Sequence, residues 1–309
     1  MDGLLLVDKQ GGCTSHDVVQ QCRRIFHQKK IGHCGTLDPS ATGLLLLTLG
    51  RATRLTRFLI RAPKVYEGEI HFGRETDTYD ASGETVAERP TAEVTEADAA
   101  DTMATFEGEI QQGPPRYSAK KVRGKKYYEL ARRGEEVPRE TKAVTVYEFL
   151  PTGPLVEDRI SFRLGCSSGT YARSLAHDVG QALGCGANLS RLRRLQVGPF
   201  KIAQALTMEA IEEGFRGVAE GEPAQLGSAW IPFDEIPMPF PQIVTDAQQE
   251  NRLRHGQTIL VRDLEGEEGD WVKLVSQRQH FVAIGSVVER IGSRGVGVVQ
   301  PKVVFQEGP

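Results

Sequence analysis

Cysteine is scarce: the 309 residues hold five, at 13, 22, 34, 166 and 185. The number is odd and no pair has CxxC spacing, which argues against a disulfide framework and against a zinc ribbon. Reduced thiols in a cytoplasmic protein are the expectation. Long apolar runs are missing too. The longest stretch, "LLLLTLG" at 44–50, falls far short of the roughly 20 residues that span a bilayer. The amino terminus, "MDGLLLVDKQ", lacks a basic leader region and has only Leu4 to Val7 as its apolar run, so it reads as a buried strand and not as a signal peptide. No segment is of low complexity, and no internal repeat is visible. With 39% hydrophobic and 26% charged residues the chain is an ordinary globular one, long enough for a large core or two domains.

A surplus of positive charge is also absent, since the net charge is −3. Its distribution is uneven, however. Residues 1–62 hold 9 Lys and Arg against 4 Asp and Glu, residues 116–142 hold 10 against 4, and residues 159–201 hold 7 against 1. Residues 74–113 reverse this with 2 against 11, and 202–237 with 1 against 7. A single such block is an ordinary solvated face. Three basic blocks with glycine and aromatic residues interleaved point to a polyanionic partner.

Local patterns suggest mixed α and β structure. "GLLLVD" (3–8) reads as a strand. Residues 14–30 open on Thr14 and Ser15, both good N-caps, and place Val18, Val19, Cys22, Ile25 and Phe26 at helical spacing. Residues 51–63 suit a short helix with arginines on neighbouring turns. Residues 64–73 alternate like a strand, and 95–108 form an acidic helix. "AVTVYEFLP" and "DRISFRLGCSSG" are strand-like, and 171–184 is a helix stopped by Gly184. Prolines 232, 237, 239 and 241 mark a linker. Beyond it, short strands between glycine-rich turns suggest a small β-barrel. Residues 216–228 read as a mobile loop.

The chemistry centres on "HCGTLDPSATG" (33–43). An aspartate before proline commonly forms a turn, its side chain bonding nearby N–H groups. Alternatively, Asp38 is a lone nucleophile or base in a loop stiffened by Pro39, Gly35 and Gly43. The motif offers no second carboxylate of the kind a glycosidase needs. "TDTYDASG" (76–83) faintly echoes a calcium loop, but it lacks the spacing and the closing glutamate, and a β-turn is the better reading. Taken alone, the residues leave both readings of Asp38 open.

The whole pattern "HCGTLDPSATGLLLLTLGRATR" resembles the catalytic motif of the TruB branch of pseudouridine synthases. Five further segments, one before this motif and four after it, lie in that family's order. They are "DKQGGCTSHDVV", "KVYEGEIHFGRETDTYDASG", "PPRYSAKKVRGKKYYELARRGEEVPRE", "CSSGTYARSLAHDVG" and "NLSRLRRLQVG". The likeness then runs through "IVTDAQQENRLRHGQTI" into the last strands. One departure is Gln10, where the family usually has proline; it loosens a turn.

The resemblance implies an α+β fold: a mixed, largely antiparallel sheet in a catalytic domain (1–232) with an RNA-gripping insertion (114–142). A proline-rich linker (233–242) and a PUA-like β-barrel (243–309) follow. It implies isomerisation of uridine to pseudouridine at position 55 in the T loop of tRNA, by base flipping and an aspartate-dependent break and re-formation of the glycosidic bond. Asp38 matches the nucleophile, Tyr171 and Arg173 complete the catalytic set, and Tyr66, Leu192 and His33 hold the base and its loop. Lys120, Lys121, Arg123, Lys125 and Lys126 are the RNA-binding residues. No cofactor, metal, membrane or protein partner is implied, and a cytoplasmic monomer acting on the T-arm stem-loop is the expectation. A guide-RNA-dependent synthase and a non-catalytic RNA binder are the rival readings. The insertion argues against the first, and the set Asp38, Tyr66, Tyr171 and Arg173 against the second.

Overall fold

The computed structural model describes residues 1–115, 141–216, 226–291 and 295–305, with the backbone of 121–122 and 125–126. The side chains of Lys120, Lys121, Arg123, Lys125 and Lys126, and most of the 216–228 loop, lie outside the described residues.

Among the described residues, ten strands form one sheet. In chain order they are β1 (Gly3–Lys9), β2 (Ile31–His33), β3 (Thr42–Leu49), β4 (Lys64–Phe72) and β5 (Gly108–Gln112), then β6 (Lys142–Pro151), β7 (Arg159–Cys166), β8 (Ala187–Val197), β9 (Phe200–Lys201) and β10 (Trp230–Pro232). Their spatial order is β10-β1-β3-β8-β4-β7-β6-β5, with β2 beside β3 and β9 beside β8. Among the described residues every strand pairing in this sheet is antiparallel except that of β8 with β3, which run parallel through Arg193–Thr42 and Arg194–Gly43. That parallel junction lies at the mouth of the Asp38 loop.

The apolar runs of β1 and β3 follow from their central place. Leu4, Leu5, Leu6 and Leu44 to Leu47 are all fully buried, because both faces of these strands are covered. Each such leucine contributes roughly 1.5–3 kcal/mol by leaving water. Helix α1 (Ser15–Ile25) starts at a capping box, in which the Thr14 side chain takes the Asp17 N–H and Asp17 reaches back to Thr14. The arginine-bearing segment 50–59 begins as a 3-10 turn and ends in α2 (Thr56–Leu59). Helix α3 (Glu96–Ala104) uses a second capping box, Thr95 with Asp98. Helix α4 (Ala172–Ala182) packs against β8, and α5 (Met208–Phe215) against α1 and β1.

Past the prolines, α6 (Ala247–Arg254) and five strands form a second sheet: β11 (Gln242–Thr245), β12 (Ile259–Val261), β13 (Trp271–Ser276), β14 (Phe281–Ile291) and β15 (Val296–Val304). The order β11-β13-β14-β15-β12 leaves its outer strands unjoined, so it is a half-barrel of PUA-like kind and not a closed one. Phe281, Ile284 and Val303 of this sheet, with Phe305 just past its last strand, belong to the main core, while Leu253, Ile259, Leu274, Val287 and Val299 form a smaller core of their own.

Candidate active site

Three side chains from distant parts of the sequence fasten the Asp38 loop. Lys9, fully buried at the end of β1, donates from Nζ to the carbonyls of Gln10 (3.0 Å), Pro39 (3.3 Å) and Ala41 (2.7 Å). Ser15 Oγ accepts the Leu37 N–H at 2.8 Å and donates to the Leu37 carbonyl at 3.1 Å. Arg194, only 1% exposed, donates from Nε to the Leu44 carbonyl (2.7 Å) and from Nη2 to that of Gly35 (3.1 Å). Buried charges survive when hydrogen-bonded, and here the loop's own carbonyls supply the partners. Gly43 stands in the left-handed region (φ +99°), and a Cβ there would sit 2.3 Å from the Arg194 carbonyl. Glycine is what lets the loop re-enter β3 against β8. Gln10 is exposed and gives its carbonyl to Lys9, so the clamp does not need proline at that place.

Asp38 itself meets Arg173. Guanidinium Nε and Nη2 lie 2.9 and 3.3 Å from the two carboxylate oxygens, a fork-to-fork pairing. The Arg173 side chain is 7% exposed, against 38% for that of Asp38, so the arginine is set in the wall and the carboxylate looks out into the cleft. A second carboxylate also reaches Arg173: Asp80 Oδ2 at 3.4 Å, with the Thr78 carbonyl at 3.1 Å. Asp80 is held in turn by Thr78 Oγ1 (2.8 Å) and by the Ser82 N–H (3.0 Å) and hydroxyl (2.5 Å). The motif's lone carboxylate therefore has a companion from the 76–83 turn, which the sequence marked only as a turn.

Burial raises the Asp38 carboxyl above the ordinary carboxylate range; Arg173 opposes the rise, Asp80 adds to it and Lys9 opposes it. The ion pair thus offsets part of the cost of burial and does not turn Asp38 into an unusually strong acid.

The cleft has a volume of about 580 Å³ and is lined by Asp38, Asp80, Arg173 and Leu192, with Arg191 and Arg193 at its rim. Arg193 is tied to Asp8 by two bonds of 3.0 and 2.7 Å. Breaks in register flank this part of β8, at Leu189/Arg191 and Arg194/Gln196, and turn Leu192 toward the opening. Gly68 keeps the floor low, because a Cβ there would lie 2.4 Å from the Phe162 ring.

Tyr66 is nearly buried on β4 and does not line the cleft; burial raises its hydroxyl above the ordinary range, and the positive Arg194 opposes the rise. Tyr171 is the N-cap residue of α4; its N–H and carbonyl are both held by the Gln112 side-chain amide, at 2.7 and 3.1 Å. His33 ends β2, and burial lowers its basicity, with the positive Arg194 next in effect. Neither Tyr171 nor His33 lines the cleft. Among the described residues, no group of three His, Cys, Asp or Glu could hold a metal ion, and no helix is long and apolar enough to cross a membrane.

Residues 23–172 match the TruB family pseudouridylate synthase (N terminal domain). Residues 173–236 match the tRNA pseudouridylate synthase B C-terminal domain, and 241–305 the pseudouridine synthase II TruB C-terminal domain. The tRNA pseudouridine synthase B of Solibacter usitatus is 43% identical over 93% of this chain and 96% of its own length. This chain belongs to the TruB family of pseudouridine synthases. The Opitutus terrae enzyme of the same name is 49% identical over 69% of this chain and 88% of its own. Among solved structures, an H/ACA RNP bound to a substrate RNA containing 2'-deoxyuridine superposes with TM-score 0.76 at 26% identity, covering 99% of this chain and 85% of that one. A Cbf5-Nop10-Gar1 complex gives 0.75 at 28%, covering 97% and 84%. As a TruB-family pseudouridine synthase the chain is an isomerase, and the Asp38 cleft is its candidate active site.

Proposed function

We propose that this protein isomerises uridine 55 in the T loop of tRNA to pseudouridine, with Asp38 as the essential carboxylate. The observation that carries the reading is the Asp38–Arg173 pair, placed so that a buried guanidinium holds a partly open carboxylate at the mouth of a cleft of about 580 Å³. Such a volume accommodates one extruded base. The base leaves its stack at a cost of a few kcal/mol, and stacking on an aromatic face returns on the order of 1–3 kcal/mol. Tyr66 supplies that face, Leu192 gives an apolar wall, Tyr171 completes the catalytic set, and His33 supports the opened RNA loop. The C1′–N1 bond breaks, the uracil turns, C5 joins C1′, the proton on C5 is released to solvent, and N1 takes up a proton, so that the product is an isomer of the substrate. Asp38 either adds to the ring or stabilises the separated sugar.

Residues 1–232 act as the catalytic domain, 233–242 as the linker and 243–309 as an RNA-binding domain. Lys120, Lys121, Arg123, Lys125 and Lys126 of the 114–142 insertion contact phosphates. The family relationship and the free thiols support a cytoplasmic enzyme; the same reading makes it a monomer that needs no protein partner.

Release of tritium from tRNA carrying [5-³H]uridine tests the reading. Wild-type protein alone, with no guide RNA, should release it stoichiometrically from the one site, and Asp38→Asn should release none while still binding tRNA. Normal turnover by Asp38→Asn removes that residue from the mechanism, and a requirement for added guide RNA would favour the guided class.

A further inference from the structure

The turn at 77–83 presents two acceptors to Arg173, the Thr78 carbonyl and the Asp80 carboxylate. Between them stands Tyr79, with φ +64°. A bulky residue rarely takes that left-handed conformation, so something must hold it there. Its main chain is bonded on both sides: the N–H donates to the Thr76 carbonyl (3.2 Å) and the carbonyl accepts the Leu189 N–H (3.0 Å). Its ring lies flat on that of His177, with centroids 3.9 Å apart and planes 10° from parallel. His177 is four residues after Arg173 on α4, one turn further along the same face. One end of this helical face therefore grips the tip of the turn while the other receives the two acceptors that the turn presents.

We infer that Tyr79 and His177 are positioning residues for the isomerisation: their stack locks the 77–83 turn onto α4 and so fixes the guanidinium of Arg173 in front of Asp38. The catalytic part of this inference rests on the proposed function above. Neither ring lines the cleft, so the pair acts through Arg173 and does not touch the substrate. Tyr79 needs a flat ring, not a hydroxyl, for this role.

The test compares Tyr79→Phe, Tyr79→Leu, His177→Leu and the double leucine variant. Each is checked by thermal melting to be folded. The single-turnover rate should stay within about twofold of wild type in Tyr79→Phe. In Tyr79→Leu it should fall on the order of tenfold, as expected when a catalytic group is loosened, with tRNA affinity unchanged. His177→Leu removes the stack from the helix side and spares the left-handed residue; it should behave like Tyr79→Leu, and the double variant should be no worse than either single one. The groups facing Asp38 are Arg173, Asp80 and Lys9, of which Arg173 is the strongest opponent of the rise that burial causes. Loosening Arg173 should move the acid limb of the rate profile to higher pH in both leucine variants.

A readout that needs no substrate is the Arg173 Nε–H resonance of ¹⁵N-labelled protein. It should be slow to exchange in wild type and Tyr79→Phe and fast in Tyr79→Leu. An unchanged resonance in Tyr79→Leu overturns the inference whether or not turnover is seen, and so does an unmoved acid limb in an active enzyme. A wild type that forms no pseudouridine in tRNA counts against the proposed function instead, and the resonance still decides the positioning.

Discussion

Lys9 shows what a single residue does in this protein. Its ammonium is fully buried and bridges three carbonyls on either side of the Asp38 turn. Lys9→Met keeps the length of the side chain and removes the donors. Stranded carbonyls cost about 1–3 kcal/mol each when water cannot reach them, so the expected loss is several kcal/mol, read as a lower midpoint in urea unfolding, together with slower turnover. Asp178 makes a pH prediction. Burial pushes its carboxyl up to about 6, above its value in the unfolded chain. The folded state then binds more protons between roughly pH 4 and 6, so this residue's contribution to stability falls as pH rises through that window and stays reduced above it. Asp178→Asn should be more stable than wild type at pH 8, by on the order of 1 kcal/mol for a partly buried group, and the difference should vanish near pH 4. Equal melting temperatures at pH 8 would count against this.

Among the elements, the parallel junction of β3 and β8 carries the site. It puts Thr42 and Gly43 beside Arg193 and Arg194, and so joins the end of the Asp38 loop to the strand that bears Leu192. Gly43→Ala combines a strained φ with a Cβ 2.3 Å from a main-chain oxygen, which no rotamer can relieve. A melting temperature lowered by several degrees and a loss of turnover are expected; a fully active, equally stable variant would show that the junction can yield. The apolar run 44–49 announced its strand directly. β8 is harder to read, because a strand with arginines at 191, 193 and 194 lacks a clear alternation, and Arg194 is buried where pattern calls for a hydrophobe.

In the whole molecule, the second sheet is bolted to the first. Phe233 packs on Phe281 and Phe305, at 5.2 and 4.8 Å between ring centroids, and Phe58 on Trp271 at 5.0 Å. Arg51, Arg54 and Arg57 lay their guanidinium groups over Phe233, Phe305 and Phe58. The basic cluster at 51–57, which the charge pattern assigned to a polyanion, thus also serves this seam. Ending the chain at residue 241 would uncover Phe58 and Phe233. The truncated protein should melt well below the full chain or aggregate, and an unchanged melting temperature would show the seam to be dispensable.

Asp38 stands out through the resemblance of its motif to a family's, while the succession of the main strands and helices and the cap that starts α1 follow from sequence alone, because they rest on apolar periodicity and on a side-chain cap. The partners of Asp38 on the far side of the cleft do not. Asp80 reads locally as a turn residue, Lys9 as a strand end and Tyr79 as an ordinary aromatic. Their value comes from separations of tens of residues that only the sheet order closes. Tertiary structure also decided the protonation balance at Asp38, since burial and the placing of Arg173, Asp80 and Lys9 are properties of the packed fold and of no single segment.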